Sequence, residues 1–257
     1  MIMKKMNKEH IKNTFKDYVE AYDATDSKIA LKIAHTYRVA ELSDQIAESI
    51  NLNDKDRELA WTIGMLHDIA RFEQVRIYGT FNDSMSVDHA EFGADLLFSE
   101  GLVDRFEIDK NWYPTIEVAI RNHNKYRLPA GLSERDLTFC KIIRDADKID
   151  IIRVNYETPM EEIYNTSKEV LVNDRISDQV FNAFFEESAI NHSLKQTTID
   201  RLVGHVSLCF ELEYDKSREL LLKQGYLEKL LSFKSNIEET NSRLKEIGDY
   251  IFKYLKP

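Results

Sequence analysis

Apolar residues recur at intervals of three and four along most of the chain, which is the periodicity of an amphipathic α-helix. The clearest run extends from about Ser27 to Ile50, and Asp26 or Ser27 can cap its first turn. Its apolar positions are Ile29, Ile33, Tyr37, Ala40, Leu42, Ile46 and Ile50. No stretch of any length alternates between apolar and polar residues as a strand would. The pattern therefore predicts an all-α fold.

Capping residues and loops predict the helices that follow. Asn53 or Asp54 can cap a second helix that ends near Ile69. A polar, glycine-containing loop over residues 78–86 comes next, and Ser86 at its end can cap a helix over the segment VDHAEFGADLLF. These two helices contain His67 and His89.

The rest of the chain is also predicted to be helical. Pro114 suits the first turn of a helix that extends to His123. Ser133 opens a long helix containing the segment LTFCKIIRDADKIDIIR. After about Val154 the pattern changes, and no repeat or Pro/Gly-rich linker marks a domain boundary. The later helices are predicted around residues 175–190, 197–213, 215–234 and 236–255.

Composition and charge exclude several classes of protein. The 257 residues include only 8 Gly and 4 Pro, too few for the many turns of an all-β fold. The net charge of −10 disfavours a nucleic acid polymer as a partner, although a local basic pocket can still bind a small anion. Cys140 and Cys209 are too far apart in sequence for a metal-binding motif, and two cysteines do not make a disulfide framework. Both are predicted to be buried thiols.

The chain has no sequence feature of a membrane or secreted protein. No apolar run reaches the ~18 residues that a membrane span needs. The first ten residues, MIMKKMNKEH, are charged and lack the apolar core of a signal peptide. We therefore expect a cytoplasmic protein without a membrane partner, which could form a homo-oligomer.

Four of the seven histidines lie within or at the ends of otherwise apolar helices. They are His35, His67, His89 and His123. Any one of them, taken singly, is best interpreted as a core histidine bonded to a backbone carbonyl, but four together weaken that interpretation. The other three, His10, His192 and His205, have no acidic neighbour in a similar setting and are interpreted as surface or packing residues.

Acidic residues accompany these histidines in apolar surroundings. Asp68 directly follows His67, and Asp145 and Asp147 lie in an isoleucine-rich helix. Aspartate is rarely buried unless it is paired or coordinates a metal. Imidazole and carboxylate ligands suit zinc, manganese or iron, and bundles build such sites from side chains on facing helices.

The order of these residues resembles that of the HD-domain metal-dependent phosphohydrolases. The family pattern is a histidine, then a His-Asp pair, then a distant aspartate, each on its own core helix. Here His35, the pair His67-Asp68 and an aspartate of RDADKID correspond to it. The resemblance covers roughly residues 27–155 and implies a helical HD-domain bundle. We expect a single domain, with residues 156–257 as a C-terminal helical extension.

Helical periodicity leaves open which aspartate of RDADKID is the ligand. Residues two positions apart on a helix point in directions that differ by about 200°. Only one of Asp145 and Asp147 can therefore face the site. The resemblance favours Asp147, because related members place the ligand in a similar Ala-Asp context. Asp145 would then help to position Asp147 and would not bind the metal itself.

His89 and His123 extend the pattern beyond the minimal set. Their positions are similar to those of extra histidines in family members with two metals, such as the hydrolases of diadenosine tetraphosphate. That resemblance implies two ions bridged by Asp68, which would be the catalytic carboxylate. The alternative is one metal, with both histidines bonding substrate phosphate. The expected ions are Mn, Fe, Co, Ni or Zn, with Mg as a further candidate.

Basic residues near the histidines are candidates for binding phosphate. Arg71 lies one turn after the His-Asp pair, on the same face of the helix, and a guanidinium fork suits phosphate oxygens. Arg38, Arg121 and Lys125 could add to such a clamp, although a solvated surface charge is the simpler interpretation for each.

Departures from the family pattern reduce the number of substrate classes that we expect. The Gly-Tyr-Pro segment of cyclic-di-nucleotide phosphodiesterases is absent, and so is the Glu-Asp pair of alarmone hydrolases, where this chain has Arg71 and Glu73. We expect hydrolysis of a small phosphorylated compound, with a nucleotide as the first candidate, by attack of metal-bound water on phosphorus. The alternatives are an HD-type di-iron oxygenase and a regulatory module that binds a nucleotide without turnover.

Overall fold

The computed structural model describes residues 7–256, and this part of the chain contains helices and no β-strand, which confirms the predicted all-α fold. The helices are α1 (Lys8–Val19), α2 (Ser27–Ser49), α3 (Asp54–Leu66), α4 (Ala70–Tyr78), α5 (His89–Ala94), α6 (Tyr113–Asn122), α7 (Glu134–Glu157), α8 (Met160–Tyr164), α9 (Lys168–Asn173), α10 (Asp178–Phe184), α11 (Thr198–Ser207), α12 (Asp215–Gln224), α13 (Tyr226–Leu231) and α14 (Glu238–Leu255). None of these helices is long and apolar enough to cross a membrane.

The chain forms two compact units, and the boundary between them lies between Ala146 and Asp147, inside α7. Helices α1–α6 and the first half of α7 belong to the first unit, which contains all four histidines of interest. Helices α8–α14 belong to the second unit. A single domain with an extension beginning near residue 156 stays a prediction.

Side-chain caps begin several helices of the first unit. Asp26 accepts a hydrogen bond from the backbone N–H of Lys28 and caps α2, and Asn53 caps α3 in the same way. The prediction of Ser86 as the cap of α5 is wrong, because Asp88 accepts from the first-turn N–H groups. Ser86 instead accepts a hydrogen bond from Gln74.

Local backbone geometry shortens one predicted helix and divides another. The predicted helix from Asn53 to Ile69 ends at Leu66, and a turn separates it from α4. The predicted helix over residues 215–234 is broken into α12 and α13 at Gly225, whose φ of +69° is left-handed. Helix α1 is an addition that the sequence pattern did not predict.

Helices α2 and α3 approach each other closely at Gly64. A Cβ atom at this position would lie 2.6 Å from the Cα of Ala40, so only glycine fits. Buried aromatic side chains pack around this pair, and Phe15 of α1 meets Phe72 of α4 edge to face, with ring centroids 5.8 Å apart. The close approach brings His35 and His67 together.

The second unit has its own aromatic core. Phe184 of α10 and Phe210 pack with ring centroids 4.9 Å apart, and Tyr250 of α14 lies against both. The apolar side chains of α11 and α14 complete this core. The second unit therefore has a hydrophobic core of its own.

Candidate metal centre

The Asp68 carboxylate lies between two pairs of histidines. Its Oδ2 atom is 3.5 Å from the Nε2 atoms of both His35 and His67. Its Oδ1 atom is 3.5 Å from Nε2 of His89 and 3.8 Å from Nε2 of His123. All five side chains are buried, and the structure thus brings five sequence-predicted site residues together.

These residues form two groups of possible metal ligands. The first cluster is His35, His67 and Asp68, and the second cluster is Asp68, His89 and His123. Within each cluster the ligand atoms lie within 4.8 Å of one another. Because Asp68 belongs to both clusters through different oxygens, its carboxylate can bridge two ions.

Helix ends position three of the four histidines. His35 lies within α2, whereas His67 and His123 directly follow the last residues of α3 and α6. His89 is the first residue of α5. Helix ends leave backbone carbonyls free to accept hydrogen bonds, and two of these histidines use such carbonyls.

Hydrogen bonds to Nδ1 fix the orientation of three imidazoles. Nδ1 of His67 lies 2.8 Å from the carbonyl oxygen of Gly64, and Nδ1 of His123 lies 2.7 Å from that of Ile120. Nδ1 of His89 lies 2.5 Å from Oδ2 of Asp83. A carbonyl or carboxylate oxygen only accepts, so Nδ1 carries the proton and Nε2 of a neutral ring presents a lone pair.

The Nε2 atoms face each other in pairs at distances that suit a shared ion. They are separated by 3.3 Å between His35 and His67, and by 2.9 Å between His89 and His123. Two ligands at ~2.1 Å from one ion are about 3.0–3.4 Å apart at octahedral or tetrahedral angles. The donor atoms therefore fit a divalent metal.

Burial keeps His89 neutral. Burial, and then the charge of Arg71, lowers the pKa of His89 to about 4, against the effect of Asp83. Near pH 7 its Nε2 atom thus presents a lone pair to Nε2 of His123. Two facing lone pairs repel each other, and a cation bound between them removes that repulsion.

The bridging carboxylate is held in its charged form. Burial raises the pKa of Asp68, but the charge of Lys32, followed by the effects of His67, His123 and Arg71, holds that pKa well below its usual range. A deprotonated carboxylate is the form that binds a metal. The strongest of these contacts is an ion pair of 2.6 Å between Nζ of Lys32 and Oδ2 of Asp68.

A polar network beside His89 involves Arg71. Nη1 of Arg71 donates to Oδ1 of Asp83 and to the carbonyl oxygen of Phe81, both at 2.8 Å. Gln74 donates to the same Asp83 oxygen at 2.9 Å. Burial raises the pKa of Asp83, but the hydrogen bond from His89 and the charge of Arg71 outweigh it, and the pKa lies below the usual range.

Arg71 also presents an N–H group to the centre. Its Nε atom is buried, lies 3.5 Å from Oδ1 of Asp68, and has no hydrogen-bond acceptor within the described part of the chain. A buried donor without a partner is costly, and an oxygen atom of a bound ligand would satisfy it. This atom supports the expectation that Arg71 binds substrate.

The other predicted substrate-binding residues have different surroundings. Arg121 donates to three carboxylates and Lys125 lies within 3.1 Å of two. The acidic partners are Glu91, Asp95 and Glu117 for Arg121, and Asp88 and Glu91 for Lys125. Arg38 is half-buried on α2. Phosphate binding by these three residues stays a prediction, and for two of them phosphate would compete with carboxylates.

The two aspartates of RDADKID differ in burial. Asp145 is fully buried in α7, whereas Asp147 is half-buried. The assignment of Asp147 as a metal ligand, with Asp145 behind it, stays a prediction of the sequence pattern.

Sequence reasoning missed two residues of the centre. Lys32 lies one turn before His35 on α2, so helical spacing did contain a signal that the two side chains share a face. Asp83 lies in a short turn between α4 and α5, where no periodicity indicates which way a side chain points.

A comparison with protein families agrees with this geometry. Residues 33–152 match the family model of the HD domain, and the match contains every residue of both clusters. The chain contains an HD domain. The matched range agrees with the expected one of about 27–155, and the resemblance to the HD-domain phosphohydrolases is confirmed.

A search among curated proteins found no match. The HD domain indicates metal-dependent hydrolase activity, for which the two clusters offer ligands for divalent ions.

Proposed function

We propose that this protein is a metal-dependent phosphohydrolase that acts on a small phosphorylated compound, with a nucleotide as the first candidate. The observation that carries the proposal is the buried carboxylate of Asp68 between two pairs of converging histidine nitrogens. The HD domain supports it, because members of that superfamily are typically phosphohydrolases.

The two clusters would hold two divalent ions, the first with His35 and His67 and the second with His89 and His123, and Asp68 would contact both. When bound, such ions supply Lewis acidity and lower the pKa of a coordinated water toward neutrality. We infer Mn, Fe, Co, Ni or Zn as the ions from the imidazole-rich donor set, with Mg as a weaker candidate.

The protein's own residues would orient the substrate and its surroundings. The free Nε–H of Arg71 can donate to a phosphate oxygen next to Asp68. Asp83 holds the ring of His89, and the backbone carbonyls of Gly64 and Ile120 hold those of His67 and His123. Burial of the centre keeps bulk water from weakening these interactions.

A thiol nucleophile is not part of the proposed reaction. Burial raises the pKa of both Cys140 and Cys209 to about 12, so that these thiols are protonated near neutral pH. Attack on phosphorus by activated water needs no covalent intermediate with the protein.

The test is a phosphate-release screen. Wild-type protein loaded separately with Mn, Co, Ni, Fe, Zn or Mg is incubated with a panel of nucleotides and other phosphate esters. We expect release from at least one compound, and loss of that activity to background in His67→Ala. His192→Ala, which replaces an exposed histidine in the second unit, is the matched control and should retain full activity.

Two outcomes would contradict the proposal. His67→Ala with wild-type turnover would exclude the centre as the catalytic site. Oxygen consumption by iron-loaded protein, without phosphate release from any compound, would instead indicate the di-iron oxygenase alternative.

A further inference from the structure

Lys32 occupies a distinctive place in the first cluster. Its Nζ atom lies 2.6 Å from Oδ2 of Asp68, the oxygen that also faces His35 and His67. The Lys32 side chain is only 15% exposed. Its ammonium group therefore pairs, inside the site, with the carboxylate oxygen that completes the first set of metal ligands.

A divalent ion and this ammonium group compete for one oxygen atom. An ion bound by His35, His67 and Asp68 would lie next to Oδ2, and like charges at such separations repel each other strongly in a buried site. The amine of a lysine lies on a flexible four-carbon stem, so it can move away while its helix stays in place. Metal binding would thus release Lys32 from Asp68.

The released amine has a limited choice of partners. Within the described residues, Asp68 is the only carboxylate in ion-pair distance of Lys32. The amine also lies 5.5 Å from the ring centroid of Phe81, and the Arg71 guanidinium lies 5.6 Å from the same centroid. Two cations thus lie around one aromatic ring beside the centre, which is a suitable arrangement for a dianionic phosphate.

We propose that Lys32 exchanges partners, pairing with Asp68 in the metal-free protein and with the phosphate group of the substrate in the metal-loaded protein. This inference rests on the proposed function. It distinguishes Lys32 from Arg121 and Lys125, each of which is already surrounded by carboxylates.

The exchange predicts two effects of opposite sign for Lys32→Met. Removal of the competing ammonium group should strengthen metal binding, and removal of a charged donor should weaken phosphate binding. A residue that only supports Asp68 would weaken metal binding when replaced. A surface charge without either contact would change neither affinity.

The experiment measures both affinities by calorimetry. Metal-free wild type and Lys32→Met are titrated with Mn²⁺, and the Mn²⁺-loaded forms are titrated with inorganic phosphate. We expect severalfold tighter Mn²⁺ binding by the variant and phosphate binding weakened by ~10-fold or more, as for the loss of one charged hydrogen bond. Lys32→Arg should restore phosphate binding.

A lysine one turn earlier on α2 is the matched control. Lys28 is exposed and donates to the carbonyl oxygen of Gly79 at 3.0 Å, outside the two clusters. Lys28→Met should leave both affinities unchanged, and circular dichroism checks that every variant is folded.

The outcomes separate this inference from the proposed function. If wild type binds Mn²⁺ and phosphate but Lys32→Met binds Mn²⁺ more weakly, or phosphate equally well, the exchange is wrong and the metal centre stands. If wild type binds neither Mn²⁺ nor any other of the ions proposed above, the proposed function fails and the exchange fails with it.

Discussion

At the scale of single residues, the centre depends on groups that hold the imidazoles in place. Asp83 is the only side chain, among the contacts described above, that orients a histidine of the second cluster. It accepts from Nδ1 of His89 and from Arg71. A residue that hydrogen-bonds to a metal-binding histidine fixes the tautomer and the orientation of its ring.

Asp83→Asn should therefore weaken the second metal site. The asparagine keeps the shape but loses the charge that fixes the His89 proton on Nδ1, and we expect metal affinity to fall roughly 10–100-fold at that site. Competition with a chelator of known affinity measures the change.

The neighbouring acid provides the control. Asp88 caps α5 and contacts Asn124 and Lys125, and asparagine caps a helix about as well as aspartate. Asp88→Asn should retain wild-type metal affinity. Equal losses in the two variants would mean that Asp83 has no special role in orienting His89.

The sequence predicted the histidines better than it predicted the residues that orient them. His35, His67, His89 and His123 could be identified because imidazoles in apolar helices are conspicuous, and the structure brings all four to Asp68. Asp83 could not be identified, because its role depends on how a loop folds back on α5.

At the scale of elements, the distance between α2 and α3 determines the geometry of the first cluster. Gly64→Ala would place a methyl group 2.6 Å from the Cα of Ala40, and backbone atoms cannot move aside cheaply. We expect the helices to separate, with a loss of about 1–3 kcal/mol in the free energy of unfolding, as for overpacking. Mn²⁺ affinity should fall as well. Urea unfolding and calorimetry measure the two effects.

A second helical glycine provides the comparison. A Cβ at Gly93 of α5 would lie 3.6 Å from its nearest neighbours, at Ala70 and Ile69, which is ordinary contact. Gly93→Ala should leave stability unchanged or raise it by up to ~1 kcal/mol, because alanine favours helix. If Gly64→Ala were equally harmless, close helix packing would not be what positions the first cluster.

Helix positions were largely predictable from local sequence, and exact ends were not. Asp26 and Asn53 cap helices as predicted, because a side-chain oxygen at a helix start acts through local geometry alone. The break between α12 and α13 was missed, because Gly225 adopts a left-handed conformation that the apolar pattern does not reveal. The short helices α8 and α9 are too brief to show a helical period.

At the scale of the whole molecule, the buried thiols predict a dependence of stability on alkaline pH. Burial raises the pKa of Cys140 and Cys209 to about 12, above the ~8.5 of an unfolded thiol. The folded state therefore retains protons that the unfolded state loses, and stability present below pH ~8.5 is lost as the pH rises toward 12.

The expected slope is about 1.4 kcal/mol per pH unit for each thiol within this range. Urea unfolding at pH 8 and pH 10 measures it for wild type and for the double variant Cys140→Ala, Cys209→Ala. Other groups titrate as well, so the difference between the two proteins isolates the thiols. Identical pH dependence in both would show that the thiols are not the cause.

We propose that one buried carboxylate and four histidines hold two divalent ions. The most direct measurement is the metal content of Mn²⁺-loaded, dialysed protein by elemental analysis. We predict close to two ions per chain for wild type, close to one for His89→Ala, and none for Asp68→Ala. Wild-type protein that is fully active with a single ion, or His89→Ala that keeps two, would contradict the dinuclear centre.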